Sequence, residues 1–401
     1  MLSSLQVPRL RILLAAGLIS AISLSTASAT SVFTTVDVTG AGTGAMQGTA
    51  VVGIDTAGDV AGVWVDANNV PHGFVRAAST GATTKFDVTA GGTCVATAYG
   101  TTPTGMDAAG NIVGLTRDAN GIYHGFVRAA STGAITCFNV AGAGTNQGNG
   151  FSQGTKPVAI NATSGIVGTY DDANNVYYGF VRANGTISTF SAPDAGTSKY
   201  AAGNQGTQPN SINDSGAIAG NYDDSSSVMH GFIRSSTGTI TEFDAPNAGS
   251  CRGSNSDHAT STFVSSIDAA GDVAGFYYDA SCVQHGFLRA ANGTFTILNA
   301  PGANAGSCAG GSGMELATCS TFGGALDAAG DIVGGYTDPN GVIHGFIRPV
   351  ATGIITSFDD PNAGTAANTG TMGRSILSTS SGLTIVGVYV DANGVLHGFI
   401  Y

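Results

Sequence analysis

The chain of 401 residues carries 14 basic against 26 acidic side chains, a net charge of −12, and holds 61 glycines beside only two glutamates and three lysines. An acidic chain is a poor match for nucleic acid, and so few strong helix formers beside so much glycine exclude a mainly helical fold. Short segments of β-branched and aromatic residues, punctuated by Gly, Asn, Asp and Ser, are the pattern of an all-β protein.

At the N-terminus, Arg9 and Arg11 precede an apolar run from Ile12 to Leu24, and Ala27-Ser28-Ala29 has the small-residue pattern of a secretory cleavage site. Residues 1–29 therefore read as a signal peptide cut after Ala29. The run is too short to cross a bilayer core of roughly 30 Å as a helix, and no Cys stands beside the cleavage site for lipidation. No membrane anchor is expected. The mature chain, short of two arginines, would carry 12 basic against 26 acidic residues, a charge of −14, and would be secreted to the periplasm or beyond it.

Residues 30–401 are organised by the cassette His72-Gly73-Phe74-Val75-Arg76. It returns at His124, Tyr178, His230, His285, His344 and His397, at spacings of 52 to 59 residues, and a fixed period of this length marks a repeat architecture. The first full unit contains four strand-like segments: Val51 to Asp55, Val60 to Asp66, Val70 to Ala77, and Thr83 to Val88. Each connection has hairpin chemistry. The residue before the third segment is Asn69, Gly121, Asn175, Ser227, Cys282, Gly341 or Gly394, in a slot that needs a left-handed backbone.

The seventh unit, from Ser375 to Tyr401, stops after its third segment. Val32 to Val38, just after the cleavage site, reads like the missing fourth. The expected fold is a single-domain, seven-bladed β-propeller of four-stranded blades, with the N-terminal strand closing the last blade. Long loops entering each unit would share one face with the turns between second and third strands, and loops on a rigid scaffold are where binding usually resides.

Asp66, Asp118, Asp172, Asp224, Asp279, Asp338 and Asp391 end the second segments, six residues before the His slot. They read as turn caps, with the histidines bonded within a blade or to its neighbour. The arginines that follow the cassette are expected to form ion pairs with Asp37, Asp87, Asp244 and Asp359. Six cysteines in an exported chain, none spaced Cys-x-x-Cys, suit disulfides. The repeat map pairs Cys308 with Cys319, Cys251 with Cys282, and Cys94 with Cys137.

The pattern Ile-Asp-x-x-Gly-x-Val-x-Gly, an aromatic two residues on, then His-Gly-Phe and a final Gly-x-Ile-x-x-Phe-Asp, resembles the bacterial extracellular repeat family named for His-Ala-Phe. The resemblance covers nearly all of residues 31 to 401. It departs in having Gly for Ala in every copy, and Arg where that family often has Trp. It implies an exported bacterial repeat protein and brings no assigned activity.

No catalytic, cofactor or metal-binding motif occurs. The polar residues that do not repeat are Arg252, Asp257 and His258 in one long loop, Glu315 in the next, and Lys199 with Tyr200 in an earlier one. Together they could bind a glycan or supply acid and base groups. The expected function is a monomeric exported module binding a glycan or another cell-surface ligand. The alternative is a hydrolase or lyase acting on extracellular polysaccharide with acids from the long-loop face.

Overall fold

The building element is a hairpin closed by an Asp and a left-handed residue. Asp66 Oδ1 accepts hydrogen bonds from the Asn68 and Val70 amides, each at 2.8 Å, and satisfies turn donors that no strand neighbour could reach. Asn69 then takes φ 63°, and its six counterparts, including Ser227 and Cys282, lie between 59° and 82°. The computed structural model describes residues 32–91, 94, 97–148, 151–198, 205–249, 251–252, 259–306, 321–379 and 382–401.

Among the described residues, the strands form seven antiparallel four-stranded meanders. The first comprises Gly48–Ile54, Val60–Val65, Pro71–Arg76 and Thr83–Phe86. Trp64 lies opposite His72 and Gly73 opposite Phe86. The other first strands are Thr97–Met106, Gly154–Ile160, Gly206–Ile212, Thr262–Ile267, Thr321–Leu326 and Gly370–Thr379. In the last meander Leu396–Ile400 pairs with Thr34–Val36 from the start of the chain, placing Thr34 opposite Ile400 and Val36 opposite Gly398. Parallel bridges such as Gly154 to Tyr123 merge neighbouring meanders into sheets of 12 and 14 strands, while the fifth meander forms a sheet of 4 by itself.

Each first strand contacts the first strand of the next meander, and that of the seventh contacts that of the first, so the seven close a cycle. A buried threonine fastens every junction. Thr49 Oγ1 accepts from the Val38 amide at 3.0 Å, and Thr101, Thr155, Thr207, Thr262, Thr321 and Thr371 do the same for the residue leaving the preceding fourth strand, at 2.8 to 3.0 Å. All seven are fully buried, so each pairs an amide that would otherwise be stranded from water.

The core lies between meanders. All seven cassette phenylalanines are 0% exposed. The apolar clusters combine residues of consecutive meanders, as where Val113 and Phe138 of the second pack with Ile166 and Phe180 of the third. Burial on both faces explains second strands that are largely apolar, such as Val60–Val65 and Ile332–Thr337, whereas fourth strands such as Thr83–Phe86 are mostly exposed.

Candidate functional site

The repeated polar residues serve the scaffold. His72 Nδ1 lies 3.0 Å from the Asp87 carboxylate of its own fourth strand, its Nε2 faces the turn-capping Asp66 at 3.8 Å, and its ring stacks on Trp64 at 4.2 Å. The Nδ1 contact recurs at His230 with Asp244, His344 with Asp359, and His124 and His285 with Asn139 and Asn299. In the last meander the partner is Asp37, from the other end of the chain, at 3.0 Å. Tyr178 fills the His slot by stacking on Tyr170. The Asp244 hydrogen bond raises the pKa of His230. Backbone donors from Val70 and Val283 lower the carboxyls of Asp66 and Asp279.

Among the described residues, the expected Arg–Asp ion pairs do not form. Asp37, Asp87, Asp244 and Asp359 are held by histidines, and the arginines reach across the junction to the fourth-strand phenylalanine of the preceding meander. Arg128 lies over Phe86 at 5.0 Å, Arg182 over Phe138 at 5.1 Å, Arg234 over Phe190 at 4.9 Å and Arg289 over Phe243 at 4.8 Å. Tyr401 takes this slot in the last meander and stacks on Phe358 at 5.1 Å. A guanidinium gains from a ring face what it loses in hydration.

The same phenylalanines explain why the cassette has Gly and not Ala. A Cβ on Gly73 would fall 2.4 Å from the Phe86 ring, on Gly179 2.5 Å from Phe190, and on Gly345 2.5 Å from Phe358. A ring that serves the next meander's arginine, or Tyr401 in the last, occupies the space a methyl would need.

Between the first two meanders this arrangement opens into a cleft of about 720 Å³, lined by Asp55, Asp59, Thr84, Asn111, Arg128 and Ser131 over the apolar Val75 and Met106. Arg128 Nε is buried without a hydrogen-bond partner, and burial pushes the pKa of the guanidinium down. Asp55 uses Oδ1 to hold the Ala57 and Asp59 amides, each at 2.9 Å; burial pushes its pKa up. Asp59 uses Oδ1 for the Ala78 amide at 2.8 Å. Among the described residues, the second oxygen of each carboxylate accepts no hydrogen bond. Charged and hydroxyl side chains lining a cleft with an apolar floor suit a ligand rich in hydroxyl groups.

Of the sequence-based site residues, Arg252 lies on the short strand Cys251–Arg252, paired with Ala259–Thr260 in the loop before the fifth meander. Its side chain, and Asp257, His258, Glu315, Lys199 and Tyr200, lie outside the described residues. Cys94 and Cys137 are joined, with Cα atoms 5.0 Å apart, and tie the loop entering the second meander to that meander's fourth strand. Cys282 is also disulfide-bonded. The side chain of Cys251, with Cys308 and Cys319, falls outside the described residues. The Arg128 cleft is absent from the sequence-based reading. Its signal was the recurrence of Phe at 86, 138, 190 and 243, each followed one unit on by a cassette Arg.

Two solved structures share the arrangement. One is the β-propeller domain of the Trilobed protease from Pyrococcus furiosus, 9% identical over 88% of this chain and 95% of that one, with a TM-score of 0.51. The fold is a β-propeller. The other is the BP39L lectin from Burkholderia pseudomallei, 10% identical over 88% of this propeller and 96% of the lectin, also with a TM-score of 0.51. No protein-family model matches the propeller, and no curated protein matches it.

Proposed function

We propose that the chain is a seven-bladed propeller, each meander one blade with Thr34–Val36 closing the last, and that it is an exported carbohydrate-binding module of the His-Ala-Phe repeat kind. The Cys94–Cys137 bridge supports an oxidising compartment, as does the N-terminal segment with Arg9, Arg11 and Ala27-Ser28-Ala29. Similar propellers belong to a protease and are a lectin, so the fold alone does not choose a function.

The Arg128 cleft carries the choice. Arg128, Asp55, Asp59, Thr84 and Ser131 line one cleft where two blades meet. That is the mixture a sugar ring requires: donors and acceptors around its hydroxyls and an apolar floor beneath.

A glycan array probed with the mature chain, from Thr30, and with Arg128→Gln tests the reading. Retention of a neutral glycan class, weakened about tenfold by the substitution, is expected from loss of a charge-assisted hydrogen bond. An array on which nothing is retained overturns it. Release of shorter fragments from a polysaccharide would instead favour the hydrolase or lyase alternative, with acids from the long-loop face.

A further inference from the structure

The junctions between meanders repeat in backbone, and their filling does not. Ala50, Thr102, Lys156, Gln208, Phe263, Phe322 and Met372 occupy one repeat position on the first strands. Five of these carry large side chains that fill the space around them. Lys156 holds the Asp171 carboxylate at 2.8 Å and Gln208 that of Asp223 at 3.0 Å. Phe263 stacks on Phe276 at 4.7 Å, Phe322 meets the same ring edge-on at 6.1 Å, and Met372 packs with Ile343, Val388 and Val390.

The two smallest, Ala50 and Thr102, belong to consecutive meanders, and both line a cavity of about 410 Å³. The rest of the lining is mainly apolar, with Val51, Val52 and Val63 of the first meander and Val388 and Leu396 of the last. Thr104 also lines it, but its hydroxyl is committed to the Val113 and Pro157 carbonyls, at 3.3 and 3.1 Å. Arg374, the one charged residue among the described lining, is exposed, so an apolar occupant can enter without burying its charge. Close packing is the rule in protein interiors, and the fold does not force this space, since the same position takes Phe or Met in three other meanders.

Met46 completes the lining and is 40% exposed, so it borders both the cavity and solvent. Its backbone is left-handed, with φ 63°, a conformation uncommon outside glycine. Among the described residues, the other non-glycine residues in that region are Asn, Ser and Cys. The last meander shows the ordinary choice, because Asn368, with φ 65°, donates its amide to the Gly341 carbonyl at 2.9 Å as Met46 does to that of Gly394 at 2.9 Å. A large flexible apolar side chain in an asparagine's slot strains the backbone and supplies an adaptable wall for an apolar occupant.

We infer that the cavity beside Ala50 is a binding site for an uncharged apolar small molecule the size of a bicyclic aromatic. A cavity of about 150 Å³ lined by aliphatic and aromatic side chains holds a benzene ring, so 410 Å³ admits a larger ring system and excludes a helix or a folded partner. Burial of the molecule's apolar surface against the valines and Leu396 drives its entry. The site stands apart from the carbohydrate reading, since none of its residues lines the Arg128 cleft.

Fluorescence titration of the mature chain with N-phenyl-1-naphthylamine, an uncharged dye that brightens on leaving water, tests this site against Ala50→Met and Met46→Asn. Ala50→Met copies Met372 and fills the cavity, and Met46→Asn copies Asn368 and removes an apolar wall. The wild type should show a saturable rise, with affinity weakened about tenfold in Ala50→Met and about threefold in Met46→Asn. Both variants should keep a single cooperative melt. Should Ala50→Met lose it, Val63→Leu, which copies Leu115 at the paired position, fills the cavity in its place. No saturable rise, or an affinity unaltered by the filling substitution, overturns the inference. A higher melting temperature in Ala50→Met with no dye bound by the wild type shows a packing void only and overturns it as well.

Discussion

The steric account of the cassette makes a quantitative demand on Gly73. A methyl placed there meets three Phe86 ring atoms between 2.4 and 2.8 Å, whereas at Gly286, where the fourth strand has Leu298 in place of Phe, the nearest atom is 3.1 Å away. Neither glycine is in the left-handed region, so the backbone tolerates Ala at both. Replacing Gly by Ala reduces the freedom of the unfolded chain and should stabilise by about 0.4–1 kcal/mol at either site. Overpacking opposes this gain by about 1–3 kcal/mol where a rigid ring must move. Gly73→Ala should therefore cost about 1–2 kcal/mol net, and Gly286→Ala should be close to neutral. Phe86→Leu should relieve the clash, so the double variant should be more stable than the two single costs predict, by about 1 kcal/mol. Urea unfolding followed by far-UV circular dichroism and by the fluorescence of Trp64, the single tryptophan, measures all four proteins. Equal costs at the two glycines, or additivity with Phe86→Leu, would refute the proposed reason for His-Gly-Phe.

Deleting Phe33 to Asp37 removes the pairing of Thr34–Val36 with the last strand, the Asp37 partner of His397, and the Phe33 stack on Tyr401 at 4.3 Å. The exposed edge should cause aggregation or loss of a single cooperative melt, and an unchanged melting curve would show that closure does not depend on that strand. Stability should also follow pH. His230 has its folded pKa raised by Asp244, so its contribution is complete below about 6.5 and is lost as pH rises through the folded value. Asp66 and Asp279, with lowered pKa values, contribute above about 3.9 and lose that contribution as pH falls. Urea midpoints should thus fall on both sides of the range from about pH 4 to 6.5, and His230→Gln should flatten the alkaline limb; an alkaline limb unaltered by that change would remove His230 from the account. Replacing Cys137 by Ser opens a link spanning 43 residues and should cost about 2–4 kcal/mol. Non-reducing peptide mapping should recover Cys94–Cys137, and it decides whether Cys251–Cys282 and Cys308–Cys319 are the other two bridges.

The strand plan was legible because period, turn residue and alternation act locally. Asn69, Ser227 and Cys282 are unlike one another as side chains, yet each occupies the slot where the hairpin requires a left-handed residue, and counting from the cassette finds all of them. The displaced strand was legible for the same reason, since Val32 to Val38 carries a fourth-strand pattern with no unit of its own. Contacts between meanders were harder to read. Pairing Arg76 or Arg128 with the nearest repeated carboxylate ignored that His72 and His230 already claim Asp87 and Asp244. The arginine's actual neighbour lies in the preceding unit, about 40 residues back, where only the closed geometry brings it near. The cavity beside Ala50 was illegible because it arises from side chains too small to fill a junction that only the closed geometry creates.

The arginine slot also separates scaffold from function. Were the guanidinium present only to stack on a ring, it should vanish where the ring does. Yet Leu298 replaces the phenylalanine facing Arg348, Val36 occupies the position that precedes Arg76, and both arginines remain. Arg128, Arg234 and Arg289 each bury an unpartnered Nε, and Arg348 buries an unpartnered terminal nitrogen. A buried donor without a partner costs about 1–3 kcal/mol, and a Leu or Met in the slot would cover the same apolar surface without that cost. The last blade shows that such a replacement folds, since Tyr401 fills the slot by stacking on Phe358. A repeated local cost that the architecture can avoid marks a slot where packing alone does not account for the arginine. The Arg128 cleft, whose lining also holds Asp55, Asp59, Thr84 and Ser131, is where a ligand should first be sought.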